Sequence, residues 1–230
     1  MTARRFYKTV AVTVENGIAL DGRVVNTPKK LPLVLPTATL AEAVAEEWRG
    51  QGDKLYPARM FLTKLANTAI DRVAPERNWA LAEIVDYAGS DLVCYRAERP
   101  PPLVLAQSRA WGRVVDWAAT NLGAALEVME GVMHRPQPAE VLAAVGAAAA
   151  RLPDHELAAA HSLTTLTGSA LLTLMLAARE IEPDAAWSAA HVDEDYQIAE
   201  WGADAEAATR RAGRHAEFHA CCRYLELARA

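Results

Sequence analysis

Cysteine is scarce in this chain of 230 residues, with three copies at Cys94, Cys221 and Cys222. An odd count with two adjacent members excludes a disulfide framework and points to a reducing compartment, the cytoplasm. Phenylalanine is equally scarce at three copies, while alanine carries much of the 52% hydrophobic share. Alanine is the best helix former, so a mostly helical protein is the starting expectation. Twelve glycines and twelve prolines leave no room for a long low-complexity linker, and 23% charged residues exclude a disordered chain. Basic residues are in deficit, 24 Lys and Arg against 29 Asp and Glu, for a net charge of -5. That balance excludes a general nucleic-acid binder, which needs a basic surface to displace counterions. No apolar core follows Met1, Thr2, Ala3, Arg4 and Arg5, so no secretory leader is expected. Charge is missing altogether from Leu157 to Ala178, a stretch long enough to span a bilayer. Its many polar members, among them His161, Thr164, Thr167 and Ser169, instead predict a helix or helix pair buried in a bundle, with no stable membrane insertion.

The first 35 residues carry strand signals. Val10, Val12 and Val14 alternate with Ala11 and Thr13, Asn16-Gly17 and Asp21-Gly22 are hairpin dipeptides, and Leu33 to Leu35 forms a last short apolar run. Helical periodicity follows. Thr39 and Glu42 have capping-box spacing, with Leu40, Val44 and Trp48 on one face. Leu62, Leu65, Ala66, Ala69, Ile70 and Val73 make a second stripe, and Trp79, Ala82, Val85 and Ala88 a third. Asp91 to Tyr95 and Ala124 to Val132 fit either element type, and Pro100-Pro101-Pro102 reads as a rigid corner. Four or five helices are predicted after Pro138, with breaks near Pro153, Gly168, Pro183 and Gly202. Strands first and helices afterwards predict an α+β chain. The expected division is a β-containing domain over residues 1–75 and a helical domain over 76–230, with Pro75 as the candidate boundary.

Catalytic motifs are missing too. The glycines are scattered in turns and build no phosphate loop. Gly168-Ser169 follows a helix-like segment where a nucleophile elbow needs a strand, so Ser169 is read as a small packing residue. His215 and His219 stand four apart, with Cys222 seven after the first, yet Ala216 occupies the place where a zincin has glutamate. They are read as a polar helix face, and no metal is assigned. Between Glu180 and Ala208 nine acidic residues occur with no Lys or Arg. Asp193, Glu194 and Asp195 are consecutive, so on a helix they fan around its circumference; Gln197 and Trp201 share the Glu194 side. This run fits a solvated acidic face, or an electronegative patch bordered by aromatics that docks a complementary partner. A carboxylate pair for acid/base work is a third possibility, without a recognisable pocket partner. The alternative function is a metal-dependent hydrolase using Asp193, Glu194, His215 and His219.

Several strings occur in order: Arg5-Phe6-Tyr7-Lys8, Leu20-Asp21-Gly22-Arg23, Thr27-Pro28-Lys29-Lys30, Ala45-Glu46-Glu47-Trp48, Met60 through Asp71, Tyr87 through Leu92, and Val192-Asp193-Glu194-Asp195-Tyr196-Gln197 with Trp201-Gly202. Together they resemble the assembly chaperones of F-type ATP synthase that bind the alpha subunit of the catalytic sector. The resemblance implies a small N-terminal β-meander domain with helices, followed by a C-terminal all-helical orthogonal bundle. It implies a non-enzyme without cofactor, plausible as a monomer, whose partner is the unassembled alpha subunit. It places the family's important acidic residue on Glu194, with Asp193 and Asp195 as support and Gln197 and Trp201 beside it. Trp48 becomes a packing anchor. Phe61 departs from the proline the family more often has after Met60, which puts the loop before the second helix in question.

Overall fold

Three short antiparallel strands open the chain: β1 (Val10–Val12), β2 (Ile18–Leu20) and β3 (Arg23–Val24), in spatial order β1-β2-β3. The computed structural model describes residues 4–131, 133 and 135–229. Met1, Thr2, Ala3 and Val132, used in the expectations above, lie outside the described residues. Val12 pairs with Ile18 and Leu20 with Arg23, so Asp21-Gly22 is a two-residue turn, with both residues at positive φ (48° and 81°). That is the geometry the dipeptide favours. Asn16-Gly17 behaves differently. Asn16 alone takes positive φ, the loop spans five residues, and the Gly17 amide donates to Thr13 Oγ1 at 2.9 Å while Gly17 bridges to Val34. The run at Leu33–Leu35 joins through such a bridge and not as a full strand.

Ten helices follow among the described residues. They are α1 (Ala38–Arg49), α2 (Phe61–Thr68), α3 (Arg77–Gly89), α4 (Pro101–Trp117), α5 (Ala139–Ala149), α6 (Asp154–Thr167), α7 (Ala170–Ala177), α8 (Pro183–Ala190), α9 (Val192–Trp201) and α10 (Ala205–Leu227). A parallel pair, β4 (Tyr95–Arg96) with β5 (Met129–Glu130), lies within the helical part; of the ambiguous segments, Asp91–Tyr95 is a short 3-10 turn at Leu92–Cys94 that runs into β4, and Ala124–Val132 contains β5. The architecture is α+β, strands before helices, as expected. By internal contacts the chain forms two units. One comprises Met1–Ala80, Leu152–Ala159 and Ala220–Ala230; the other comprises Leu81–Arg151 and Ala160–His219. Both are discontinuous in sequence, whereas the expected boundary at Pro75 is a single cut.

In the first unit, helix ends are capped from a distance. The cap of α1 is Thr37, not Thr39: its Oγ1 accepts the Leu40 amide at 3.1 Å and donates to the Leu227 carbonyl at 2.6 Å. Glu42, freed from a capping box, pairs with Arg49. Helix α2 has no cap of its own at Met60. The Glu47 carboxylate on α1 serves instead, accepting the amides of Leu62 and Thr63 at 2.8 Å each and the Thr63 hydroxyl. Burial holds Glu47 above the usual carboxylate range, opposed by those three bonds and by the charge of Arg223. Phe61 takes the first helical position, which needs no amide bond and accepts proline or other residues alike. Asp71 accepts the Thr27 hydroxyl at 2.5 Å and the Lys29 amide at 2.9 Å, pinning the strand region to the end of the second apolar stripe.

Trp48 packs beside Tyr7, Leu20 and Leu55, with the Tyr7 ring 5.7 Å away edge-on and its hydroxyl donating to the Trp48 carbonyl at 2.6 Å. The side chain is half-buried and also lines a hollow of about 620 Å³ with Phe6 and Val24. Trp48→Arg is expected to remove this contact and set a guanidinium against apolar neighbours, at a cost of about 2–3 kcal/mol. Thermal unfolding should drop by roughly 5–10 °C for a chain of this length. An unchanged midpoint would show that Trp48 is no anchor.

On α3 the third stripe is rotated: Ala80, Ile84 and Ala88 are its buried residues, while Ala82 is exposed. Trp79 is half-buried under the Arg72 guanidinium, 3.3 Å from the ring centroid, and is not one of the buried residues of the stripe. Pro101 and Pro102 begin α4, where proline is tolerated. The uncharged segment from Leu157 to Ala178 is broken at Gly168, whose φ is 70°. Ser169 then caps α7, accepting the Leu172 amide at 3.0 Å. Every residue from Ala170 to Leu176 is buried. Among the described residues no helix is long and apolar enough to cross a membrane. Six helices follow Pro138, one more than expected at most, because α8 and α9 separate at His191 where the sequence carries no glycine or proline.

Candidate docking groove on the acidic helix

Helix α9 has no buried residue. Its three consecutive carboxylates fan out as a 3.6-residue period requires, and the structure gives each a different task. Asp193 accepts a hydrogen bond from Gln107 Nε2 at 2.6 Å, and Gln107, itself buried on α4, also accepts the Ala97 amide. Asp195 forms an ion pair with Arg211 on α10. The basic partner that the sequence between Glu180 and Ala208 lacks is therefore supplied by the next helix. Glu194 makes neither a hydrogen bond nor an ion pair with any described residue, and it is half-buried in the wall of a groove.

That groove has a volume of about 550 Å³. From α9 it takes Glu194, Gln197, Ile198 and Trp201, which recur at three- and four-residue spacing and share a side. From α10 it takes Ala207, Ala208, Arg211 and His215. Gly202, at φ 85°, ends α9, and Asp204 starts α10 by accepting the Ala207 amide at 2.8 Å. Small alanines leave the groove open, and Trp201 stands at its rim with 77% of its surface exposed. At the inner wall lies Trp187, with the His191 ring stacked on it at 3.7 Å. Burial lowers the affinity of His191 for a proton; the bond from its Nδ1 to the Trp187 carbonyl and the Glu194 charge oppose this, while Arg214 and Arg211 reinforce it. The arrangement has no nucleophile or paired catalytic carboxylates. It presents one uncommitted carboxylate, one large aromatic and a mostly apolar floor, which suits recognition of a protein surface.

The groove joins all three residues expected on one side, Glu194, Gln197 and Trp201, while Asp193 and Asp195 tie the helix down. Sequence reasoning missed the α10 side, Arg211 in particular. The available signal was the return of arginine at Arg210, Arg211 and Arg214 straight after a long acidic stretch. The alternative hydrolase set is not assembled. Among the described residues the group able to hold a metal is Asp184, His215 and His219, without Asp193 or Glu194.

A family model described as ATP12 chaperone protein matches residues 4–119. Among solved structures, Atp12 from Paracoccus denitrificans is 40% identical, with a TM-score of 0.91 and 98% of each chain covered. An aspartate-to-lysine mutant of P. denitrificans Atp12p gives 40% identity and a TM-score of 0.90 over the same shares. The Atu1473 protein of Agrobacterium tumefaciens is 43% identical, with a TM-score of 0.91, covering 98% of this chain and 86% of that one.

Proposed function

The chain belongs to the ATP12 chaperone family, and we propose that it is an assembly chaperone of F-type ATP synthase that holds the unassembled alpha subunit of the catalytic sector until the beta subunit replaces it. An orphan ring subunit exposes a large interface that self-associates or aggregates. A partner that covers this surface but binds it less well than the proper neighbour releases it by mass action, with no bond made or broken. The groove between α9 and α10 is the docking surface in this proposal. The observation that carries it is the division of labour on α9: two carboxylates are spent on holding the helix, and Glu194 alone faces the groove beside an exposed tryptophan. A half-buried, unpaired carboxylate is costly to keep unless something completes it, and a basic or hydrogen-bond-donating group of the partner would do so.

The test is co-purification from a native extract. The alpha subunit should come with the wild-type protein and be depleted with Glu194→Lys, whose far-UV dichroism and melting should match wild type. Full recovery of the alpha subunit by the folded variant would remove Glu194 from the interface. Absence of the alpha subunit from the wild-type eluate would remove the assignment itself.

A further inference from the structure

We propose that Asp184, His215 and His219 form a surface site for a divalent transition-metal cation of the zinc type. His215 and His219 stand one turn apart on α10 and point the same ring atom inward, their Nε2 atoms 2.9 Å from each other. Asp184, in the first turn of α8, brings Oδ1 to 3.2 Å from His219 Nε2. The potential ligand atoms of all three lie within 4.8 Å of one another. A tetrahedral ion with bonds of about 2.0–2.1 Å spaces its ligand atoms about 3.3 Å apart, close to the 2.9 Å and 3.2 Å separations at His219.

Protons satisfy the trio in part only. His219 Nε2 carries at most one hydrogen, while the His215 nitrogen and the Asp184 oxygen both face it. A cation would engage all three lone pairs together. The rings are held for this by aromatic walls: Trp187 meets the His215 ring edge-on at 4.9 Å, and Phe218 meets the His219 ring edge-on at 5.5 Å. Two imidazoles and one carboxylate match the borderline chemistry of zinc better than that of magnesium or calcium, which favour all-oxygen sets. Exposure of the cluster leaves remaining positions to water. The site shares His215 with the groove but needs neither Glu194 nor a protein partner, so its test does not depend on the docking proposal. It also departs from the expectation that the histidine pair is only a polar face, because the third ligand comes from α8, nine positions before the acidic triplet.

Zinc chloride titrated calorimetrically into tag-free protein in a non-chelating buffer tests it. One equivalent should bind, and melting should shift upward with added zinc. Asp184→Asn, His215→Gln and His219→Gln should each weaken binding about tenfold or more, since even residues that merely support a ligand cost that much. All three side chains are at least partly exposed, so the melting curves without metal should match wild type. No binding by wild type, or undiminished binding by any of the three variants, overturns the site.

Discussion

Asp91→Ala is expected to be the most destabilising single change in the second unit. Asp91 is fully buried at the start of a short helical turn, where it accepts the Val93 amide at 3.3 Å and the Leu171 amide at 3.1 Å, and bonds to Ser169 and Ala170 as well. It thereby caps the first turn of α7, the most deeply buried helix described, together with Ser169. Alanine leaves these donors unsatisfied in a dry interior, each at about 1–3 kcal/mol, and adds a small cavity. Burial also pushes the Asp91 carboxyl up to about 6, against the pull of its hydrogen bonds. In the unfolded chain the same group titrates near about 3.9. Between these values the folded state binds more protons than the unfolded state, so the Asp91 contribution is full below about pH 4 and declines as pH rises to about 6. Two units correspond to about 3 kcal/mol. The stability gap between wild type and Asp91→Ala should therefore be about 3 kcal/mol wider at pH 4 than at pH 7, read by urea unfolding at both. An equal gap at the two pH values would refute the buried, proton-binding carboxyl.

Trp201→Ala is expected to leave folding intact and to weaken the proposed alpha-subunit complex by about 2–4 kcal/mol, or roughly 30- to 1,000-fold. A tryptophan with 77% of its surface exposed contributes little to its own fold. Covered at the centre of an interface it would bury a large apolar area, and indole side chains head the list of residues on which binding depends. Glu194→Lys should act in the same direction by a different route: the new ammonium sits in a groove that already holds Arg211, and it meets the partner's complementary group with the wrong sign. Calorimetry or surface binding with purified alpha subunit would measure both. Ala207→Trp, which fills the floor of the groove from the opposite helix, should match their effect; wild-type affinity in that variant would move the contact elsewhere.

Much of the fold was readable because local chemistry decided it. Asp21-Gly22 adopts the turn its dipeptide favours, Gly168 breaks the long uncharged stretch, and Gly202 ends the acidic helix. Where sequence patterning misled, a distant group had taken over. Thr37 displaces Thr39 as the cap, and both hydroxyls donate to the Leu227 carbonyl, 190 residues from Thr37. Gly17 gives up the tight turn to pair with Val34. Trp79 lies outside the core stripe because an arginine covers it. The strings that carried the resemblance prove to be largely hydrogen-bond fixtures: Glu47 caps α2, Asp71 holds Thr27 and Lys29, and Asp91 caps α7. One half of the groove was legible from helical spacing at Glu194, Gln197 and Trp201. The other half depends on which face α10 turns toward α9, and no local pattern encodes that.

The most direct measurement is light scattering from purified alpha subunit, diluted from denaturant with and without an equimolar amount of this protein. Scattering should fall to near baseline in its presence, stay high with Trp201→Ala or Glu194→Lys, and the protein should leave the complex when beta subunit is added. Undiminished aggregation with well-folded wild-type protein would contradict a holding role for this chain.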